Sequence, residues 1–108
     1  MTTLPDHRDL TPAELKTALD ASQIALIDVR ESHEFAAERI PGSLNYPLST
    51  FDPTALPADD GKILVLSCAG GVRSLRAMDA CQMAGLDVAH HLGGGINAWK
   101  AAGLPTER

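Results

Sequence analysis

Cys68 is followed by Ala69, Gly70, Gly71, Val72 and Arg73, and then by Ser74, where a helix is expected to start. The apolar run Ile63-Leu64-Val65-Leu66 comes directly before this stretch. A buried strand therefore delivers a thiol to a loop of small residues, and the loop feeds a helix N-terminus. Two adjacent glycines let successive backbone N–H groups turn inward, forming an anion nest beneath the positive end of the helix dipole. Amides and dipole together favour a thiolate over a thiol. This suits a cysteine that attacks an electrophile and then carries a negatively charged adduct. Arg73 can supply a guanidinium for an anionic substrate. An arginine in the first turn opposes the helix dipole, so anion binding accounts for it better than solvation does. Ser74 can cap the helix or donate to an adduct carried by the cysteine, and capping is the simpler role.

Other residues of chemical type fit less well. Asp28 and Arg30 could serve as acid and base, but a nucleophile already present as thiolate needs no general base. Cys81 falls on the apolar face of the helix after the loop. It lies ~12 Å from the helix start, beyond the ~7 Å Cα limit for a disulfide to Cys68. His90 and His91 are neighbours on an expected strand and point to opposite faces, so they do not form one metal site by themselves. His7 and His33 lack ligand-like spacing to them, and no metal is expected. Trp99 is expected to pack in the core close to the loop of Cys68 rather than to serve as a recognition platform.

The elements that position the loop follow from local patterns. Thr11-Pro12-Ala13-Glu14 reads as a capping box with proline at the first helical position, and Leu10 and Leu15 as a hydrophobic staple. Gln23 to Ile27 reads as a buried strand ending at Asp28. Ser32 is expected to cap a short helix through Ala37, and Pro41-Gly42 to turn the chain into an extended piece at 44–46. The stretch 47–61, with its prolines and aspartates, is read as a loop with room for one helical turn. A central strand is expected over 62–67, and a helix over 73–84 with Leu75, Met78, Ala80, Cys81 and Ala84 apolar, stopped by Gly85. A further strand is expected over 86–92 and a last helix over 94–102, stopped by Gly103. Strands alternating with helices, the most apolar strands covered on both faces, indicate an α/β domain with a mainly parallel sheet. Ligands of such sheets bind outside the carboxyl ends of the strands, where Cys68 falls.

The 108 residues are expected to form one domain, spanning 1–108, with a single core. Hydrophobic residues make up 44% and charged residues 21%, which argues against extensive disorder. A net charge of −5 with no basic cluster argues against nucleic-acid binding. No apolar run approaches the ~18 residues of a membrane span, and residues 1–10 lack a signal-peptide core. A cytoplasmic location with no membrane association is expected.

Three separated segments carry a family resemblance. Leu26-Ile27-Asp28-Val29-Arg30-Glu31, Glu34-Phe35 and Ile40-Pro41-Gly42-Ser43-Leu44-Asn45-Tyr46-Pro47 together resemble the N-terminal signature of rhodanese domains. The stretch from Cys68 to Ser74 resembles their active-site loop, and that from Leu92 to Pro105 their C-terminal signature. The likeness covers about residues 10–105. It implies the three-layer rhodanese fold, with a mainly parallel central sheet between helices on both faces. It also implies a ping-pong sulfurtransferase that needs no cofactor. Cys68 would take a sulfane sulfur from thiosulfate or a low-molecular-weight persulfide and pass it to cyanide or a thiol, including a protein thiol. The amides of Ala69, Gly70, Gly71, Val72, Arg73 and Ser74 would bind the donor and the anionic outer sulfur. By the same resemblance Asp28 and Arg30 form an architectural salt bridge. Two departures stand out. Arg39 replaces a frequent histidine and is expected to make a structural contact, and Gly93 replaces a larger polar residue near the active-site mouth, which bears on donor preference.

Rival readings come from the same resemblance. Phosphatases and arsenate reductases of this fold also pair a cysteine with an arginine, but their loop is typically one residue longer than the four between Cys68 and Arg73. The shorter loop suits one sulfur better than a tetrahedral oxyanion. The fold could also serve as a non-catalytic module, or as a redox sensor that uses the acidic thiol.

Overall fold

The computed structural model describes residues 4–57 and 61–108. The chain runs β1 (Asp9–Leu10), α1 (Pro12–Asp20), β2 (Ile24–Asp28), α2 (Ser32–Ala37), β3 (Leu44–Asn45), two 3-10 turns (Leu48–Thr50 and Pro53–Ala55), β4 (Ile63–Ser67), α3 (Val72–Met83), β5 (His90–Leu92) and α4 (Gly95–Ala101). The strands form one sheet in the order β1-β5-β4-β2-β3, every pair parallel. β4 is therefore the central strand, as its apolar sequence requires.

Alternation along the strands sends neighbouring residues to opposite faces and builds two apolar clusters. One face carries Leu10, Leu26, Val65 and Leu92 against Leu15 and Ala18 of α1 and Ile96 and Trp99 of α4. The other carries Ile27, Val29, Leu66 and Cys68 against Ala77 and Cys81 of α3. Full burial of each large side chain contributes ~1.5–3 kcal/mol. The fold is the expected α/β arrangement, a parallel sheet with helices on both faces. None of its described helices is long and apolar enough to cross a membrane.

Several boundaries differ from the sequence reading. Thr11 does cap α1, with the reciprocal bonds to Glu14. Glu31, not Ser32, is the N-cap of α2, because Glu34 reaches back to the Glu31 N–H at 2.9 Å and Ser32 is already helical. The 47–61 stretch holds two 3-10 turns rather than one helical turn, and residues 58–60 lie outside the described residues. α3 starts at Val72 and buries Ser74, Ala77 and Cys81, small side chains that let the helix lie close to the sheet. Ala84 is exposed at its C-cap, where Gly85 N–H bonds Gln82 O and Leu86 N–H bonds Cys81 O, a Schellman ending. That turn delays β5 to His90–Leu92, so residues 86–89 are not strand. β1 had no counterpart in the sequence reading, since two residues carry no periodicity. Its pairing Asp9↔His91 with β5 continues the row Leu66↔His91.

Candidate active site

Cys68 stands one residue beyond the end of β4, and its backbone is fixed from the opposite side by α4. Ile96 N–H donates to Cys68 O at 2.8 Å and Asn97 N–H to Ala69 O at 3.1 Å. In a trans peptide the N–H points opposite to the C=O, so the amides of Ala69 and Gly70 face away from α4. This close docking needs glycine at 95. A Cβ there would lie 2.3 Å from Cys68 O and 2.4 Å from Ala69 O.

Gly71 ends the loop as the N-cap of α3 with φ +99°, a left-handed conformation that favours glycine. Its N–H donates to Cys68 Sγ at 3.0 Å. Among the described residues no side chain caps α3, so Ser74 does not take the capping role expected of it, and the first-turn amides of Val72, Arg73 and Ser74 have no intrahelical partner. Ser74 lies fully buried one turn along, its Oγ 3.5 Å from Cys68 Sγ. Cys68 itself is 1% exposed, whereas Gly70 and Val72 are exposed above it and Ala69 is half-buried. The loop is thus a lid of small residues over a sulfur held by an amide and a hydroxyl.

Arg73 does not stand alone at the loop's end. Its guanidinium makes a bidentate pair with Glu34 of α2, at 2.7 and 3.0 Å. The hydrogen bonds from Arg73 hold the Glu34 carboxyl down at about 2, and Glu34 raises Arg73 in turn. Sequence reasoning had no partner for Arg73. The signal available was only the general one that a half-buried cation needs a carboxylate.

Asp28 and Arg30 form the expected buried salt bridge, at 2.7 Å. Arg30 also donates to Glu38 O at 2.7 Å, so it ties the end of α2 to the sheet. Asn45 completes this knot, donating to Asp28 O and Arg30 O. These groups hold the frame and make none of the described contacts to Cys68. Arg39 pairs with Glu107 and stacks over Phe35, a structural contact. Cys81 is a buried free thiol whose proton affinity burial pushes up. Trp99 is core, in the cluster on the sheet face opposite Cys68, with its indole N–H on Pro105 O. A side chain at Gly93 would meet Asp9 of β1.

The residues that sequence reasoning passed over lie behind the sulfur. His91 is 2% exposed, its Nδ1 2.7 Å from Ser74 Oγ and its Nε2 3.0 Å from Asp9 Oδ1. His90 points elsewhere, to His7 O, as alternation on a strand requires.

A family model of the rhodanese-like domain matches residues 11–102. The chain is 34% identical to mouse thiosulfate sulfurtransferase/rhodanese-like domain-containing protein 3, over 94% of this chain and 73% of that protein. Other curated relatives are longer. The chain spans about half, 54%, of one to which it is 40% identical. Among solved structures, a rhodanese-related protein from Thermoplasma volcanium superposes with TM-score 0.79 and 28% identity, over 94% of this chain and 98% of that one. A Rhodopseudomonas palustris protein of unknown function, described as a possible tyrosine phosphatase, gives TM-score 0.76 and 30% identity over 94% and 85%. With a family match over nearly the whole length, and the cysteine loop at the carboxyl end of the central parallel strand, the chain belongs to the rhodanese-like domain family.

Proposed function

We propose that the chain is a sulfurtransferase whose nucleophile is Cys68. The thiolate attacks the outer sulfur of thiosulfate or of a low-molecular-weight persulfide. A bond forms between Sγ and that sulfur, the donor's S–S bond breaks, and the leaving group departs with the electron pair, as sulfite when thiosulfate is the donor. The cysteine persulfide then meets an acceptor, cyanide or a thiol, including a thiol on a protein. The acceptor takes the outer sulfur and Cys68 leaves as thiolate, so the reaction needs no cofactor. The cytoplasm, where thiols stay reduced, is the compartment this chemistry fits.

The observation that carries this reading is the Gly71 N–H on Cys68 Sγ at the head of an uncapped helix. The first-turn amides there can take the anionic outer sulfur, and the helix dipole favours it. With Cys68 only 1% exposed, the donor has to offer a narrow sulfur tip and move loop atoms aside.

The test is incubation of the purified chain with thiosulfate followed by intact-mass measurement. The reading expects the mass of one sulfur atom added, its loss on addition of cyanide, and no adduct on Cys68→Ala. Oxygen adducts alone would point instead to a redox sensor. A second reading, phosphatase, is favoured by the likeness to the Rhodopseudomonas protein. Against it stands the loop, with four residues between Cys68 and Arg73 and a guanidinium already engaged by Glu34. Steady hydrolysis of p-nitrophenyl phosphate that disappears in Cys68→Ser would reverse this preference.

A further inference from the structure

Cys68 joins the apolar cluster on its face of the sheet, and beside that cluster a line of polar side chains leads away from the sulfur. Sγ lies 3.5 Å from Ser74 Oγ, Ser74 Oγ 2.7 Å from His91 Nδ1, and His91 Nε2 3.0 Å from Asp9 Oδ1. Ser74 and His91 are buried, while the Asp9 side chain is 52% exposed. The line therefore runs from the sulfur through the interior to solvent at the sheet edge. Parallel pairing of β1 with β5 builds it, because the register sets Asp9 directly beside His91.

We propose that Ser74, His91 and Asp9 form a proton line that takes the Cys68 thiol proton when the sulfur becomes a nucleophile. Ser74 touches the reacting atom, and His91 and Asp9 are positioning residues that act through it. This rests on Cys68 being the nucleophile of the proposed reaction.

The donor and acceptor inventory fixes the directions. A carboxylate only accepts, so the Asp9 contact places the imidazole proton on Nε2 and leaves Nδ1 as an acceptor. Ser74 then donates its one proton to Nδ1, the shorter of its two options, the other being Gly71 O at 3.3 Å. With that proton committed, Ser74 Oγ can only accept from the sulfur, which suits the thiol. Ionisation moves two protons in one direction. The Cys68 S–H bond breaks and its proton goes to Ser74 Oγ, while the original hydroxyl proton passes to His91 Nδ1. The products are a thiolate, an intact serine hydroxyl and an imidazolium facing the Asp9 carboxylate. Nδ1–H now donates to Ser74 Oγ, and the hydroxyl proton is free to donate to the sulfur anion. When Cys68 leaves the persulfide as thiolate, the same line can return the proton.

The charged groups facing this line come from three sides. β1 contributes Asp9 and its ion-pair partner Arg8, whose hydrogen bond is the main cause holding the Asp9 carboxyl below its usual range. α3 contributes Ser74 and, toward Cys68, Arg73, which Glu34 of α2 neutralises. The end of β4 contributes Cys68.

The test is the pH profile of Cys68 alkylation by iodoacetamide, an uncharged reagent, read on the Cys68 peptide so that Cys81 does not contribute. Wild type is compared with Ser74→Ala, His91→Gln and Asp9→Asn. The rate at pH 7 is expected to fall about tenfold in the first two and about threefold in Asp9→Asn, each profile moving to higher pH. His91 is buried and its variant can fail to fold; Asp9 is half exposed, and its variant keeps the test open. Asp9→Asn also leaves Arg8 unpaired, which alone would favour thiolate and raise the rate. Profiles that superimpose on wild type, in Asp9→Asn and in whichever of the other two folds, would overturn the proposal and leave His91 a packing residue. Alkylation does not require sulfur transfer. Shifted profiles without persulfide formation would therefore sink the sulfurtransferase reading alone, and coincident profiles with intact sulfur transfer would sink the proton line alone.

Discussion

At the mouth of the loop one guanidinium has two claimants, the anionic donor and Glu34. The bidentate pair holds Arg73 with two parallel bonds, so a donor has to compete for a charge that is already balanced. The two partners should consequently respond in opposite directions. Arg73→Ala removes a cation and leaves the Glu34 carboxylate unpaired beside the site, so kcat/KM for thiosulfate should fall about 10–100-fold, mainly through KM. Glu34→Gln frees the guanidinium, and KM for thiosulfate should fall about threefold, the scale of a partly screened surface pair. Steady-state kinetics with a fixed acceptor reads both. Movement of KM in the same direction in the two variants would mean that Arg73 serves only to tie α3 to α2.

That tie matters more for α2 than for other elements. None of the six described residues of α2 is buried, so no apolar stripe holds it in place. It is fastened instead by Arg73 on Glu34, by Arg30 on Glu38 O, and by Lys100 and Thr106 on the Glu38 carboxylate. The Glu34 carboxyl is lowered from 4.5 to about 2, chiefly by hydrogen bonds from Arg73. A depressed acid contributes its stability in full above its unfolded value and loses it as pH falls through the folded one. The unfolding free energy from urea titrations should therefore fall in wild type between about pH 4.5 and 2 by on the order of 2 kcal/mol more than in Glu34→Gln. Equal acid sensitivity in the two would show that the pair contributes nothing to stability. The α4 turn makes a second element-level case. Gly95→Ala forces a Cβ into two loop carbonyls and should lower stability by at least ~2 kcal/mol, whereas Gly70, with nothing within 4 Å of its Cβ position, should take alanine within ~0.5–1 kcal/mol. Thermal unfolding of the two variants decides it, and equal losses would mean that the α4 turn does not fix the loop.

Across the whole molecule, what could be read from sequence was what lies close together in it. The strand-loop-helix around Cys68 occupies a dozen consecutive residues, and its types state their own geometry. The line Cys68–Ser74–His91–Asp9 draws on both ends of the chain, and only the β1–β5 register brings it together. Adjacent histidines on a strand gave alternation and nothing about which face held a serine. Glu34 escaped for the same reason, since its partner lies 39 residues away. Net charge, by contrast, was available from composition, and it acts at this largest scale. The chain carries −5 and measures 35 × 35 × 22 Å, while the Arg73 guanidinium at the site is balanced by Glu34. At 0.01 M salt the Debye length of ~30 Å lets a dianionic donor feel the whole molecule; at 0.15 M, ~8 Å confines it to the site. For thiosulfate, kcat/KM should thus rise about two- to fivefold over that range, with no change for an uncharged thiol acceptor. In Glu34→Gln the unbalanced guanidinium should flatten the slope or turn it downward. A wild-type rate that falls with salt would mean that the helix N-terminus and Arg73 outweigh the molecular charge, and that Glu34 does not neutralise the site.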